Sequence, residues 1–477
     1  MSRLWDPPAG TIPTMQVPSL QEVQRVHLVG VGGAGMRNLA KLLLARGLSL
    51  SGSDLKDSSG LGVLRELGAT VYLGHDPGHV NDADVVIVST AIGRSNPERR
   101  EAERRRIPVW ARQQAIAALA AGRETVAITG THGKTTTTSM VATIAEEAGL
   151  DPSYLIGGDL NESGSGARAG EGEVFIYEAD ESDGSFLLGS PSVGVLTNVD
   201  VDHVDFYPGG REEIQRAFGE FATRCGRIVA CGDDAGVRES LDLGGLRASI
   251  TYGTGDYNDL VVRVRRLGPD GAHGSVVVDG ATVIDLELTI DGAHNLLNAA
   301  AAVAAAREIG VAPADAARAL RSFEGVHRRF EFRGSARGAD FYDDYGHIPT
   351  EMALTLQTAR RRDPRRLIAL VQPHRYARVQ ALWRELGASV TEADLVLVTD
   401  IYGADQAPIP GVTGALVVEG VRLASPSTRT VYVPHRHDVI EYLDRELREG
   451  DLVVTMGCGD VWMLADATLE RIRGGDR

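Results

Sequence analysis

The sequence predicts an α/β protein of three domains: a Rossmann-like N-terminal domain, a central P-loop ATPase-like α/β domain with a parallel sheet, and a Rossmann-like C-terminal α/β domain. Three observations lead there. Short apolar runs alternate with amphipathic helical stretches along the chain, as when helices join parallel strands. Two of those runs open into glycine loops that start a helix, Gly30 to Gly35 and Gly130 to Lys134. The length, 477 residues, exceeds one ordinary domain of roughly 100–200 residues. The expected boundaries are 1–122, 123–325 and 326–477.

In the first block a β-branched run, Val26 to Val29, meets Gly30, Gly32, Gly33 and Gly35. A helix follows with Met36, Leu39, Leu42 and Leu43 on one side, then a strand ending at Ser53-Asp54. Glycines let the backbone approach a diphosphate at the helix start, and an acidic residue after the second strand can bond a ribose. The next strand, in "ADVVIVSTAI", ends in small polar residues including Ser89, as a ligand-facing strand end would. A tight turn without a ligand satisfies the same glycine pattern.

The second block, "ETVAITGTHGKTTTTSM", resembles a phosphate loop whose first glycine is displaced: Ile128 stands where G-x-x-x-x-G-K-[ST] expects it, and Gly130 follows. Lys41, Lys56 and Lys134 are the only lysines in a chain that otherwise uses arginine. A lysine retained in the loop points to a need for a compact ammonium between phosphate oxygens. Two further strands end in charged clusters, Glu178, Asp180, Glu181 and Asp183, then Asn198, Asp200, Asp202, His203 and Asp205. Strands of a parallel sheet present their carboxyl ends on one rim, so carboxylates there suit a divalent metal. Helix capping is the alternative, and it suits Asp183 and Asp205 better than Glu178 and His203. Asn295 and Asn298, three apart on one helix face, can donate and accept together at the edge of a purine or serve as plain caps.

The third block contains "VHRRFEFRG", "FYDDYGHIPTEM" and "RLIALVQPHRYARVQALW". It concentrates Arg328, Arg329, His347, His374, Arg375 and Arg378 after strand ends, where a cleft forms.

Composition narrows the function. A formal charge of -16 argues against nucleic acid or an anionic membrane as partner. Cys225, Cys231 and Cys458 are too scattered for a disulfide framework or zinc knuckle. No apolar run is long enough to span a bilayer, and the Pro-rich lead-in lacks a signal-peptide layout, so a cytoplasmic protein without membrane insertion is expected.

Taken in order, G-x-G-G-x-G-M with S-G-S-D, G-T-H-G-K-T-T, E-A-D-E-S-D, T-N-x-x-x-D-H, G-x-H-N-x-x-N, R-R-F, D-D-Y-G-H and Q-P-H-R-Y-x-R resemble the Mur ligase family, over about Val26 to Val461. The resemblance implies a peptidoglycan enzyme of the alanine-adding branch. Its N-terminal domain would hold UDP-N-acetylmuramate, its central domain ATP and Mg2+, and its C-terminal domain L-alanine. The carboxylate would be activated as an acyl phosphate and attacked by the amine.

On that resemblance the sugar nucleotide would meet Gly30, Gly32, Gly33, Ala34, Gly35, Met36, Ser53, Asp54, Ser89 and Tyr345. ATP would meet Gly130, Thr131, His132, Gly133, Lys134, Thr135, Thr136, Asn295, Asn298 and Arg328, with amides from Thr131 to Thr136 cradling the phosphates. Thr135, Glu178 and His203 would ligate Mg2+. Lys134, Glu178, His203, His347, His374, Arg375 and Arg378 would carry the chemistry, the last three holding the alanine carboxylate or the tetrahedral intermediate. No general base is assigned; solvent or a histidine such as His347 could take the proton. With Lys134 as its sole lysine, the central block matches the branch that lacks a carbamoylated lysine. Arg37, Ile348 and Asp405-Gln406 depart from the branch's usual Ser, His and Gly-Glu. A monomer or weak homodimer is expected.

Three other readings compete: an NAD-dependent dehydrogenase on the first glycine loop, a nucleotide-driven kinase or switch on the central block, and the ligase that attaches a recycled tripeptide to the same sugar. Consumption of ATP without hydride transfer separates the first, and dependence on residues 326–477 the second.

Overall fold

A computed structural model describes residues 19–89, 92–157, 165–203, 206–404 and 406–475. Most of the lead-in, Thr90 and Ala91 of the third strand end, Asp205 and Asp405 lie outside the described residues.

Three sheets follow one another along the chain. The first runs Thr70–Leu73, Ser49–Asp54, Arg25–Val29, Val85–Val88, Val109–Ala111, all parallel. The edge strand Thr70–Leu73 comes before the strand read as next from sequence. The central strands Arg25–Val29 and Val85–Val88 are buried, valine-rich runs apart from the exposed Arg25, as a sheet covered on both faces requires.

The second sheet has a parallel core in the order Ile250–Gly253, Arg227–Cys231, Val193–Leu196, Glu124–Thr129, Val174–Glu178, Ser153–Leu155. The strand feeding the Lys134 loop is central, flanked by the strands that end at Glu178 and Leu196. The sheet is not wholly parallel as expected: Leu260–Gly268, Gly271–Val278 and Thr282–Leu288 add an antiparallel meander at one edge. Its second turn places Asp279 and Gly280 at φ 49° and 70°, the left-handed pair of a tight hairpin.

The third sheet runs Glu331–Ala336, Ala339–Asp344, Asp451–Met456, Arg366–Val371, Leu395–Val398, Arg429–Tyr432, parallel except for its first hairpin.

The apolar cores do not follow the sheets one to one. One cluster joins Leu28, Leu39 and Ile116 around the first sheet to Leu155, Phe175, Tyr177 and Phe218 around the second. The residues from Phe330 onward form clusters of their own, centred on Leu356, Val396 and Val454 and on Phe341, Leu370 and Leu464.

Candidate functional site

The first glycine loop is shaped by the strand beside it. Gly30 and Val31 amides donate to the Ser53 carbonyl at 2.9 and 3.1 Å, and the Gly32 amide donates to Asp54 Oδ2 at 2.8 Å. Gly33 caps the helix Ala34–Ala45, whose first amides face outward. A Cβ on Gly35 would lie 2.9 Å from the Arg112 guanidinium, so glycine here admits an arginine to the anion-binding end of that helix. Sequence reasoning missed Arg112, which starts another helix, Arg112–Ala120. Ser89 follows the buried strand Val85–Val88, its Cβ 3.2 Å from where one on Gly30 would stand.

Two residues expected at the sugar site are engaged elsewhere. Met36 is buried in the apolar core shared by the first two sheets. The Ser53 hydroxyl donates to Glu98 Oε2 at 2.6 Å, inside a cluster where His75 Nδ1 and His79 Nδ1 approach Glu98 to 2.9 and 2.6 Å. Burial raises the Glu98 carboxyl, but hydrogen bonds from His27, Ser53 and His79 outweigh it and hold the group at about 2. Arg37 lies against Gly60, where it would meet any added Cβ.

In the central loop Gly130 has φ 143°, and a Cβ there would come within 2.0 Å of Thr197 Oγ1. Gly133, at φ 76°, faces Asn298 Oδ1, 2.6 Å from a hypothetical Cβ. The Thr131 amide donates to the Asn198 carbonyl at 3.1 Å and the His132 amide to Asn198 Oδ1 at 2.7 Å. The expected cradle from Thr131 to Thr136 is therefore narrower. Gly133, Lys134, Thr135 and Thr136 supply the four amides that begin the helix Lys134–Glu147. Thr138 and Ser139 hydroxyls turn back onto the Lys134 and Thr135 carbonyls, both at 2.8 Å.

Lys134 Nζ donates to the Gly130 carbonyl at 2.5 Å and pairs with Glu181 at 2.8 Å. Burial opposes the ammonium charge, but Glu181, Asp180 and Glu178 outweigh it and raise the Lys134 pKa. Glu181, crowded in the same buried place, is pushed up to about 7, burial and Asp180 exceeding the pull of Lys134. Glu178 Oε2 accepts from the Gly157 amide at 3.0 Å. His203, at φ 50°, lies with Nε2 3.3 Å from Asp202 Oδ2 and 3.8 Å from Glu181 Oε1. Burial lowers its pKa, and Nδ1 is buried without a hydrogen-bond partner. A neutral imidazole with an orphaned nitrogen, near carboxylates that outnumber Lys134, suits a hard divalent cation. Asp183 caps the following turn, accepting from Ser185 N at 2.8 Å.

A cavity of about 790 Å³ opens beside this loop, within the range for a nucleotide-sized ligand. His132, Gly133, Thr136 and Asn198 line one wall, Asn295 and Asn298 another, and Arg329, Phe330 and Glu351 of the third domain the far side. Asn298 Nδ2 donates to Asn295 Oδ1 at 3.2 Å and Asn295 Nδ2 to the Asp291 carbonyl at 2.7 Å, fixing both amides. Arg328, expected here, turns the other way. It donates to Asp343 Oδ2 at 2.8 Å and to the Gly457 and Gly459 carbonyls at 2.5 and 3.1 Å. Of the two adjacent arginines it is Arg329 that lines the cavity, together with Arg211 and Arg362; it lies 3.5 Å from Glu351 and over the Tyr345 ring.

Polar contacts join the Lys134 loop, and the segment after the strand Val193–Leu196, to the third domain. His132 lies 3.6 Å from Asp200 and 3.8 Å from Glu351. Thr350 Oγ1 donates to Asp200 Oδ2 at 3.2 Å. Arg378 donates to both oxygens of Asp202 at 3.0 and 3.2 Å. Burial lowers the His132 pKa, yet Asp200 and Glu351 outweigh it and raise the ring to about 9. His374 Nδ1 accepts from Arg378 Nη1 at 3.1 Å, and the His347 and His374 rings stand edge to face at 5.7 Å. Burial and Arg378 lower His347 to about 4; burial, His347 and Arg378 lower His374 to about 2, so both are neutral at pH 7. Arg375, at φ 66°, caps the helix Tyr376–Ser389. Tyr345 is packed beneath Arg328 and Arg329 and edge-on to His347, in the third domain.

Family models match the three parts in order: Mur ligase family, catalytic domain, over residues 25–124; Mur ligase middle domain, over 128–306; and Mur ligase, glutamate ligase domain, over 328–459. The UDP-N-acetylmuramate–L-alanine ligase of Oleidesulfovibrio alaskensis is 44% identical over 453 residues, covering 94% of this chain and 99% of that protein. Among solved structures, the UDP-N-acetylmuramate-alanine ligase of Thermotoga maritima superposes with a TM-score of 0.81 at 26% identity, over 94% of this chain and 99% of that one. A murein peptide ligase of Psychrobacter arcticus gives 0.71 at 25% identity, over 94% and 98%.

Proposed function

The chain belongs to the Mur ligase family, and we propose that within it the protein joins L-alanine to the lactyl carboxylate of UDP-N-acetylmuramate. ATP becomes ADP and phosphate in the reaction, which forms an amide bond for peptidoglycan synthesis. The observation that carries this reading is the 44% identity to an alanine ligase, extending over 99% of that protein. The tripeptide-adding alternative has the weaker structural match, 0.71 against 0.81.

The chemistry follows from charge. Transferring a phosphoryl group to a carboxylate brings two anions together, so catalysis is mainly neutralisation and positioning. Lys134 leaves Glu181 for the β- and γ-phosphate oxygens, and the Gly133 to Thr136 amides bind the same phosphates. Asn295 and Asn298 hold the adenine edge, and Arg329 closes over the nucleotide. Thr135, Glu178 and His203 would hold Mg2+, which would supply positive charge for phosphoryl transfer. The orphaned His203 nitrogen and the nearby carboxylates support that donor set. Gly30, Gly32, Gly33, Ala34 and Gly35, with Asp54, Ser89 and Arg112, receive the sugar nucleotide. His374, Arg375 and Arg378 receive the acceptor carboxylate, and neutral His347 can accept a proton from the amine.

Residues 1–122, 123–325 and 326–477 then divide as sugar, nucleotide and acceptor domains. No helix of the described residues is long and apolar enough to cross a membrane. We place the enzyme in the cytoplasm, where UDP-sugars and ATP occur, as a monomer or weak homodimer.

The test is ADP release with UDP-N-acetylmuramate, ATP and single amino acids. Stimulation by L-alanine is expected. Silence with alanine, glycine and serine, combined with turnover on a tripeptide, overturns the assignment.

A further inference from the structure

Three neighbouring strands of the third sheet, Ala339–Asp344, Asp451–Met456 and Arg366–Val371, end on the same rim. The turns that follow them carry His347, Cys458 and His374, whose ligand atoms all lie within 4.8 Å of one another. Cys458 has no part in the reaction described above, and it is the only cysteine of the third domain.

The donors are close enough to converge on one ion. His347 Nδ1 lies 3.1 Å from the Tyr345 carbonyl, and a proton donated there leaves Nε2 with its lone pair. His374 is stacked on Tyr402 at 5.8 Å, which restrains its ring. The nearest cation, Arg378, is compensated by Asp202 at 3.0 Å. All three donors are half-buried, so an ion from solvent can reach them.

We propose that His347, His374 and Cys458 form a binding site for a thiophilic divalent cation such as Zn2+. Two imidazoles and a thiolate make a three-ligand set with an open fourth position for water. Mg2+ does not compete, because none of the three donors is an oxygen. On binding, the Cys458 S–H bond breaks, its proton leaves to buffer, and the sulfur pair forms the metal–sulfur bond; no electron is transferred. Tetrahedral ligation brings the donors to about 3.5 Å apart, within reach of side-chain rotation. His374 must shift its proton to Nδ1 to ligate through Nε2, opening its contact with Arg378. The site thereby draws both histidines from the acceptor pocket, and the ion inhibits the ligase. Inhibition rests on the proposed function, whereas binding does not.

Metal-free full-length protein titrated with Co2+ provides the test. One equivalent should give tetrahedral visible bands and a near-ultraviolet thiolate charge-transfer band, both discharged by Zn2+. Cys458→Ser should lose the charge-transfer band and weaken Zn2+ binding by about tenfold or more. A Cys458→Ala variant with unchanged thermal melting controls for folding. In turnover at saturating Mg2+, Zn2+ should inhibit the wild type at about tenfold lower concentration than Cys458→Ser. Absence of the charge-transfer band, or its persistence in Cys458→Ser, overturns the site whatever the enzyme's substrates prove to be. Equal Zn2+ sensitivity of the two proteins overturns the inhibition.

Discussion

Arg378 of the third domain grips both carboxylate oxygens of Asp202 of the second, at 3.0 and 3.2 Å, across 176 positions of sequence. Both side chains are almost fully buried. The contact stands beside His203 and His374, so it joins the two domains at the site itself.

Removing the guanidinium leaves the buried Asp202 carboxylate without its arginine, which favours an open arrangement. Arg378→Ala should lower kcat by about 100-fold or more, with a larger radius of gyration in small-angle scattering and little change in melting temperature. Arg378→Lys should recover little, since a point charge cannot bridge both oxygens.

Lys134→Ala should abolish turnover, by about 1000-fold or more, because no other group replaces a charge on the transferring phosphoryl. Calorimetry should find UDP-N-acetylmuramate affinity nearly unchanged. A large loss there would mean that the sugar site is misplaced.

Arg328 and Arg329 should separate cleanly. Arg329→Ala should raise the KM for ATP with an unchanged melting temperature. Arg328→Ala should lower the melting temperature of the third domain, because it strands Asp343 and two carbonyls.

His132 gives the pH dependence a definite sign. Its folded value is raised from 6.5 to about 9. Its stabilising contribution is therefore complete below about pH 6.5 and disappears as pH rises through about 9. Melting scans from pH 6 to 10 should show a decline over that interval, and His132→Gln should flatten it.

Glu178→Gln should raise the Mg2+ concentration for half-maximal activity by about tenfold or more while leaving the Lys134–Glu181 pair intact. An unchanged Mg2+ requirement would remove Glu178 from the metal site.

Local patterns made much of this legible in the sequence. Glycine loops before helices and charged residues after apolar runs mark strand ends, and both loops, Lys134 and Asn298 sit where such patterns put them. Arg328 and Arg329 are adjacent and chemically identical, so spacing does not tell which one faces the cavity; the fold does, with Arg328 at φ 62° and bonded to Asp343. Ser53 falls at the right strand end, but Glu98, 45 positions away, holds its hydroxyl. Asp200, Glu351 and His132 lie far apart in sequence, so no spacing rule brings them together. The meander over 260–288 carried its own signal in Asp279-Gly280 between alternating runs.

The shared apolar core makes the two seams of the molecule chemically unlike. The first two domains are fused through Leu28, Phe175 and Phe218, whereas the third keeps its own hydrophobic clusters and meets the second through carboxylates, arginines and a histidine. Two thirds of the chain thus share one apolar core, and the last third is joined to them by polar contacts. Wetting the seam between them exposes charges that water solvates readily, so the join should loosen as ionic strength rises.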